Sequence, residues 1–488
     1  MSGTLLTVVV LLPVLGALLT IWTGGRTRAV LGTSSALATL LASIGLTVQV
    51  WERGGSVFHL DLVGDLEVVL VADGLAAAML LMVTVTGSFV AVFALVEDRR
   101  DVTGRARGYW PLSLGLWAAL QVLFLGGDLL TLYLMFEAIG VAAVALVAAG
   151  GDRRANLAAT RYLYAELVAT VTLLFGIALT WQQAGTLVLA ELPAGFGTEP
   201  LGAAALALIT AGLLVKVPLV PVHLWLPAAH ALSAGAVSPL LSALVVKTAF
   251  VVLLRIWYLG TPQAVPVEAA QLLGALGVVA ILWGSMVAFR ATEVKVLIAY
   301  STIAQLGVLF LAVPLLVAGQ VDAWIGGLLH AIAHAPAKAA ALLAAAVLAE
   351  DAGHGAIEGL RGAAARRPVA VFALAVSAVS LVGLPPTVGF VAKWQLLLAG
   401  VAAGQWWWVA VLAVGSLLTA GYLMRLVKPT FDRDAEVSRP SDPGGTPRRA
   451  DGRDIVALAL ALVTVLAGVR PAELLRLLQL VPPHLAGG

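Results

Sequence analysis

Lysines at membrane depth are the residues of this sequence with the clearest chemical potential. Lys216 stands two residues before Pro218, and Pro221 follows at once, in KVPLVPVHLWLPAAH. Proline has no N–H to donate, so the carbonyls of Leu214 and Val217 are expected to lose their helical partners. In lipid, such carbonyls persist only where protein or water covers them. A charge beside the break is therefore expected to line a wet cavity. Lys247 falls about 20 Å into the next helix, counted from Ala234 at about 1.5 Å per residue. Desolvation disfavours a charged amine, so a lysine at that depth can bind and release a proton.

The remaining candidates extend the same chemistry. Glu137 is about 15 Å along a helix that starts near Asp128. A carboxylate at that depth needs a cation or a proton, and Lys216 is its expected partner. His330, His334 and Lys338 are spaced i, i+4, i+8, which keeps them on one helix face. A histidine can pass a proton near neutral pH. In LVGLPPTVGFVAK, Pro385 and Pro386 form a second break, and Lys393 follows eight residues after the first proline. Together these groups read as a proton relay with no catalytic centre and no metal site.

Other charged and aromatic residues have plainer readings. Arg255 and Arg425, near helix ends, are expected to snorkel to the interface. Glu166 and Arg161 are expected to pair with each other. His223 and His230 flank WLP, where capping and proton uptake are equally open. Trp406, Trp407 and Trp408 are expected in an interfacial belt.

The elements that must carry these groups are membrane helices. The chain has 488 residues, 61% hydrophobic and 11% charged, with mean hydropathy +1.00. A soluble protein carries roughly a quarter charged residues. Runs near 20 apolar residues fall at about 5–22, 30–50, 72–96, 109–126, 128–149, 156–182, 201–226, 234–258, 267–289, 294–317, 322–349, 368–400, 404–428 and 454–470. The expectation is an all-α membrane protein of about 14 transmembrane helices. Two connections, 51–70 and 183–200, have room for short amphipathic segments. Phe431–Arg453 alone is linker-like. Leu5–Trp22 has no basic region before it and reads as the first span rather than a cleavable signal. The absence of cysteine removes disulfides, thiolate zinc sites and cysteine-ligated clusters. No nucleotide loop is present.

If the spans alternate, one face collects Arg26, Arg28, Arg99, Arg100, Arg105, Arg107, Arg153, Arg154, Arg290, Lys295, Arg361, Arg366, Arg367, Lys428, Arg433, Arg439, Arg448, Arg449 and Arg453. The other face has Arg53, Arg470 and Arg476. This asymmetry predicts a multi-pass cell-membrane protein with both termini on the non-cytoplasmic side. Two proline-broken spans, 7 and 12, are separated by four others, and each bears a deep lysine. That pattern suggests two inverted five-helix repeats, helices 4–8 and 9–13. The expected units are 1–108, the first repeat 109–258, the second 259–428, and a cytoplasmic loop with a last helix over 429–488.

The segments KVPLVPVHLWLPAAH, VSPLLSALVVK, EVKVLIAYSTIAQLG, HAIAHAPAKAA and GLPPTVGFVAKW resemble the proton-conducting, antiporter-like membrane subunits. These occur in respiratory complex I, membrane-bound hydrogenases and Mrp-type cation/proton antiporters. The resemblance runs from about helix 3 to helix 13. It implies fourteen helices with inverted repeats, a helix 5 glutamate at Glu137 paired with a helix 7 lysine at Lys216, and a helix 8 lysine at Lys247. It also implies a helix 11 histidine at His334 and a terminal helix 12 group at Lys393. Lys393, where the middle complex I subunit has a glutamate, argues against that subunit.

The implied function is proton translocation within a multisubunit complex, either an Mrp-type antiporter or a hydrogenase- or complex I-like pump. No redox or hydrolytic centre and no cofactor are expected in the chain itself. The expected partners are other membrane subunits, the lipid bilayer and protons, with Na+ or K+ exchange left open and no nucleic acid. An inorganic-carbon uptake complex and a stand-alone secondary carrier remain the alternatives. A carrier for an organic solute would call for more mid-membrane Asn, Gln and Ser than the chain has.

Overall fold

The computed structural model describes residues 2–61, 67–98, 108–151, 153–193, 195–233, 235–261, 264–432 and 450–480. In hydrocarbon each backbone N–H and C=O has to find a partner within the chain, which a single segment achieves only as a helix. The first apolar runs form α1 (Ser2–Trp22), α2 (Gly25–Arg53), α3 (Gly74–Asp98), α4 (Tyr109–Leu125), α5 (Leu129–Ala148) and α6 (Arg153–Ala184). The seventh and eighth runs are fragmented into α7 (Pro200–Lys216), α8 (Trp225–Leu232), α9 (Val237–Ala243) and α10 (Thr248–Leu254). Next come α11 (Val267–Arg290), α12 (Val294–Phe310), α13 (Ala312–Val317) and α14 (Val321–Ala352). The chain continues through α15 (Ala363–Arg366), α16 (Pro368–Val382), α17 (Val388–Ala402) and α18 (Trp406–Val427). It ends in α19 (Gly452–Val469) and α20 (Ala472–Gln479). Among the described residues, 11 spans are long and apolar enough to cross a membrane. Four shorter apolar helices, α4, α7, α16 and α17, accompany them. The molecule is a membrane protein.

Three features depart from the sequence reading. The connection 51–70 is a hairpin, not an amphipathic helix. Its strands, β1 (Ser56–Asp61) and β2 (Glu67–Ala72), pair antiparallel from Ser56↔Ala72 to Asp61↔Glu67. Val57, Val68, Val69 and Val71 make that outcome reasonable, because β-branched side chains suit a pleated surface. The eighth span, expected to be continuous, breaks after α9 into a single 3-10 turn, Val245–Lys247. Finally, Trp408 is buried and donates its indole N–H to Gln405 at 2.8 Å, while Trp406 and Trp407 are exposed as a belt requires. Ala234, Arg99, Arg100, Arg105, Arg107, Arg433, Arg439, Arg448 and Arg449 lie outside the described residues, as does most of the linker-like stretch.

The core is built on α14. It is 32 residues long, and nearly all of its central stretch is buried. The helices α3, α9, α12, α16, α17 and α19 pack around it. The last span, α19, has 18 residues, about 27 Å at about 1.5 Å per residue, close to the hydrocarbon thickness of about 30 Å. Its start is fixed by a capping box between Asp451 and Asp454. Asp454 also binds Arg367 at 3.1 Å, and Arg367 reaches Asp351 at 3.3 Å. Arg453 pairs with Glu350. These bonds tie the ends of α14, α16 and α19 together at the face that carries most of the loop arginines.

Removing one partner of a buried ion pair typically costs about 3–5 kcal/mol, because the other charge is stranded. Asp454→Ala is therefore expected to lower the melting temperature of the detergent-solubilised protein clearly. A lysine-for-arginine change at exposed Arg361 serves as the neutral control. Equal melting of the two variants would show that the junction is not a structural tie.

Candidate functional site

The relay residues are held by the ends of broken helices. Lys216 is the last residue of α7, where Pro218 stops the helix. The expected loose ends are partly taken up: the N–H of Leu219 bonds to the Leu214 carbonyl at 3.4 Å. The indole of Trp225 donates to Val215 O at 3.1 Å. Lys216 Nζ lies 5.2 Å from the Phe136 ring centre, a cation–π contact.

Its ionic partner is Glu166, not the expected Glu137. The reason is the close approach of α6 and α7. A Cβ at Gly176 would sit 2.8 Å from Ala205 O, and one at Gly212 would sit 2.8 Å from Ala169 O. With no side chains between them, Glu166 on α6 reaches Lys216 four residues beyond Gly212. Gly140 of α5 completes the pocket, since a Cβ there would lie 2.9 Å from Glu166 Oε2. The expected Glu166–Arg161 pair is corrected by the same geometry, which leaves Arg161 exposed. Glu137 sits one turn before Gly140, half-buried, and its Oε1 is buried without a hydrogen-bond partner in the protein. Two carboxylates thus flank the path of one lysine. Glu166 was legible in principle: it is 13 residues past Arg153, about 20 Å into the span.

Lys247 is fully buried. Its ammonium donates to the carbonyl of Ser242 at 3.1 Å and to that of Ala243, the residue where α9 stops. Lys393 repeats the arrangement on α17. It donates to Val382 O at 2.8 Å and Leu381 O at 3.3 Å, at the end of α16, and to Ser416 Oγ at 3.1 Å. Gly383 permits this. Its φ is 85°, a conformation that side chains rarely adopt, and a Cβ would sit 2.7 Å from Lys393 Cδ. Carbonyls at a helix C-terminus carry partial negative charge, so each broken end accepts a cation without a carboxylate.

Lys338, His334 and His330 descend one face of α14. Lys338 is fully buried; it donates to Ile298 O at 3.1 Å and to Ser301 of α12. Pro336 lies inside α14 without ending it. The imidazoles of His330 and His334 are 6.4 Å apart between ring centres. None of their four ring nitrogens has a hydrogen-bond partner in the protein. Buried polar nitrogens of that kind have to be met by water. The charges acting on His334 come from Lys247, Lys338, His330 and Lys393. The residues named from the sequence on helices 8, 11 and 12 are therefore gathered around His334.

Arg255 is the remaining correction. It does not snorkel: its guanidinium is buried and binds Asp73 Oδ1 at 3.1 Å and Phe124 O at 3.3 Å. Asp73 heads α3, directly after the hairpin, and no helix periodicity could place it beside the end of the eighth span.

Removing the Glu166 charge strands Lys216 in a buried site. Glu166→Gln is expected to lower thermal stability by about 3 kcal/mol or more, and adding Lys216→Met is expected to recover most of the loss. A double variant as unstable as the sum of the two singles would mean the pair is not coupled.

The chain was compared with known proteins. Residues 126–419 match the family described as NADH:quinone oxidoreductase/Mrp antiporter, TM. NADH-quinone oxidoreductase subunit N of Desulforudis audaxviator (strain MP104C) is 35% identical over 387 residues, 77% of this chain and 76% of that protein. A chain of the Mrp complex from Dietzia sp. DQ12-45-1b superposes with TM-score 0.86 at 25% identity, covering 97% of this chain and 96% of that one. A chain of the archaeal membrane-bound sulfane sulfur reductase, a respiratory membrane complex, gives TM-score 0.87 at 25% identity with the same coverage.

Proposed function

The chain belongs to the NADH:quinone oxidoreductase/Mrp antiporter transmembrane family, and from that premise we propose that it is a proton-translocating membrane subunit of a multisubunit complex of the complex I or Mrp kind. One observation carries the reading. Lys247 and Lys393 are buried amines bound by neutral helix-end carbonyls rather than by fixed carboxylates. A buried lysine in a permanent ion pair would be locked in its charged form. An ammonium on carbonyls can give up its proton without stranding an anion, which is what a relay requires.

In this reading Lys216 is the gate. Held by Glu166, it keeps its charge; drawn toward Glu137, it changes the field acting on Lys247. The proton then passes by way of His334 to Lys393, with Lys338 and His330 setting the hydration of the centre. The basic face is cytoplasmic and both termini are outside, following the positive-inside rule. Residues 109–258 and 259–428 form two inverted five-helix units, a proposal supported by the matching lysine-on-helix-end geometry at Lys247 and Lys393. Lys393 lies past the break between α16 and α17, in the outer half, and is the release group. Other membrane subunits supply the driving energy, because the chain offers no redox or nucleotide chemistry of its own.

Two measurements test this. Lys393→Arg keeps the charge but, with a pKa above about 12, cannot release the proton. Proton translocation by the assembled complex is expected to stop, with assembly intact. Glu137→Ala is expected to do the same. Normal pumping by Lys393→Arg would reduce that residue to a fixed charge. The isolated chain in liposomes is expected to show only a passive leak, and robust cation/proton exchange from it would refute the need for partners.

A further inference from the structure

We propose that His230 is the inlet of the relay, taking protons from the basic face along Glu97 and Lys295 and passing them to Lys338 and Lys247. The inference rests on the proton-translocation reading above and adds the side from which the buried amines are filled.

The connection between α8 and α9 is held at both edges. Lys295, at the start of α12, donates to Ser233 O at 2.8 Å. Ser238 donates to His230 O at 3.0 Å and to Ser233 O at 3.4 Å. At the end of α3, the Glu97 carboxylate rests against Gly235, where a Cβ would fall 2.5 Å from Oε2. Glu97 and Lys295 are half-buried, so this edge meets solvent. Behind it His230 is 2% exposed. The charges around its ring are Lys338 on α14, Lys247 after α9 and Lys295 on α12. One lies at the surface edge and two lie in the buried relay. His230 is the link between them.

A histidine kept for structure uses its ring nitrogens. His223 does so, accepting from Trp283 Nε1 at 3.1 Å. Neither nitrogen of His230 has a hydrogen-bond partner in the protein. Water has to meet both. A neutral imidazole offers one acceptor and one donor. A proton leaving the Lys295 ammonium, directly or through water, binds the accepting nitrogen. The proton on the opposite nitrogen leaves for the Lys338 amine. The ring ends as the other tautomer with no net change of charge, and Lys295 is refilled from solvent beside Glu97.

The test uses the complete complex containing this chain, in membrane vesicles, with proton flux followed by a pH-sensitive dye. His230→Gln fills the site and keeps hydrogen bonding but cannot relay. It is expected to cut flux roughly tenfold or more, within the range of a lost general acid–base group, with assembly unchanged. His230→Ala is expected to lose flux as well, and to regain it when imidazole is added on the basic face. Wild-type flux in His230→Gln, with Lys393→Arg inactive, overturns the inlet and leaves the relay standing. Wild-type flux in both variants overturns the relay itself. Flux lost in His230→Ala but not restored by imidazole, with His230→Gln normal, makes the residue structural and overturns the inlet.

Discussion

The arrangement depends on ammonium groups resting on the ends of interrupted helices. A charged amine in a membrane interior is costly unless something replaces its water. The usual remedy, a carboxylate, would also fix the charge permanently. Here the chain stops a helix inside the membrane, and the exposed carbonyls receive the amine. Lys247 closes on Ser242 and Ala243, and Lys393 closes on Leu381 and Val382. The break and the lysine solve each other's problem: the carbonyls lack N–H partners and the amine lacks acceptors. Either one alone would destabilise the bundle.

This constraint explains why the centre of the molecule is so dense. Interrupted helices cannot face lipid, so α9, α10 and α16 must be covered, and α14 is the cover they share. Its small residues, Ala331, Ala335, Ala339 and Ala340, are fully buried and let neighbours approach closely. The two imidazoles it carries are then surrounded by protein yet left for water to satisfy. Lys216 stands apart from this pattern. It has an ionic partner because α6 approaches closely at glycines, and it is the one deep lysine whose charge is held by a carboxylate.

The spans and two of the breaks were readable because length, hydropathy and proline report directly on backbone chemistry. The depth of each ionisable group was readable too, since it is a matter of counting. What could not be read was rotation about the helix axis and the distance between axes. Glu137 and Glu166 lie at similar depth, and only the glycine contacts between α6 and α7 decide which meets Lys216. The break at Lys247 has no proline at the break itself; Pro239 sits in the first turn of α9, where it is tolerated. Arg255 was misjudged because its partner, Asp73, is 182 residues away. Such pairs belong to tertiary structure.

The stretch between Lys247 and Arg255 sets where an applied voltage acts. All seven residues from Thr248 to Leu254 are buried, and six of them are apolar. They form a dry plug about 10 Å long, closed at its far end by the Arg255–Asp73 pair. An electric field falls mainly across the material of lowest dielectric, so the transmembrane potential concentrates on this plug instead of spreading over the hydrated centre. Moving one charge through the full potential involves about 2.3 kcal/mol per 100 mV. Nearly all of that work is confined to two turns of one helix, and the insulation of the membrane at this subunit is only as good as their packing.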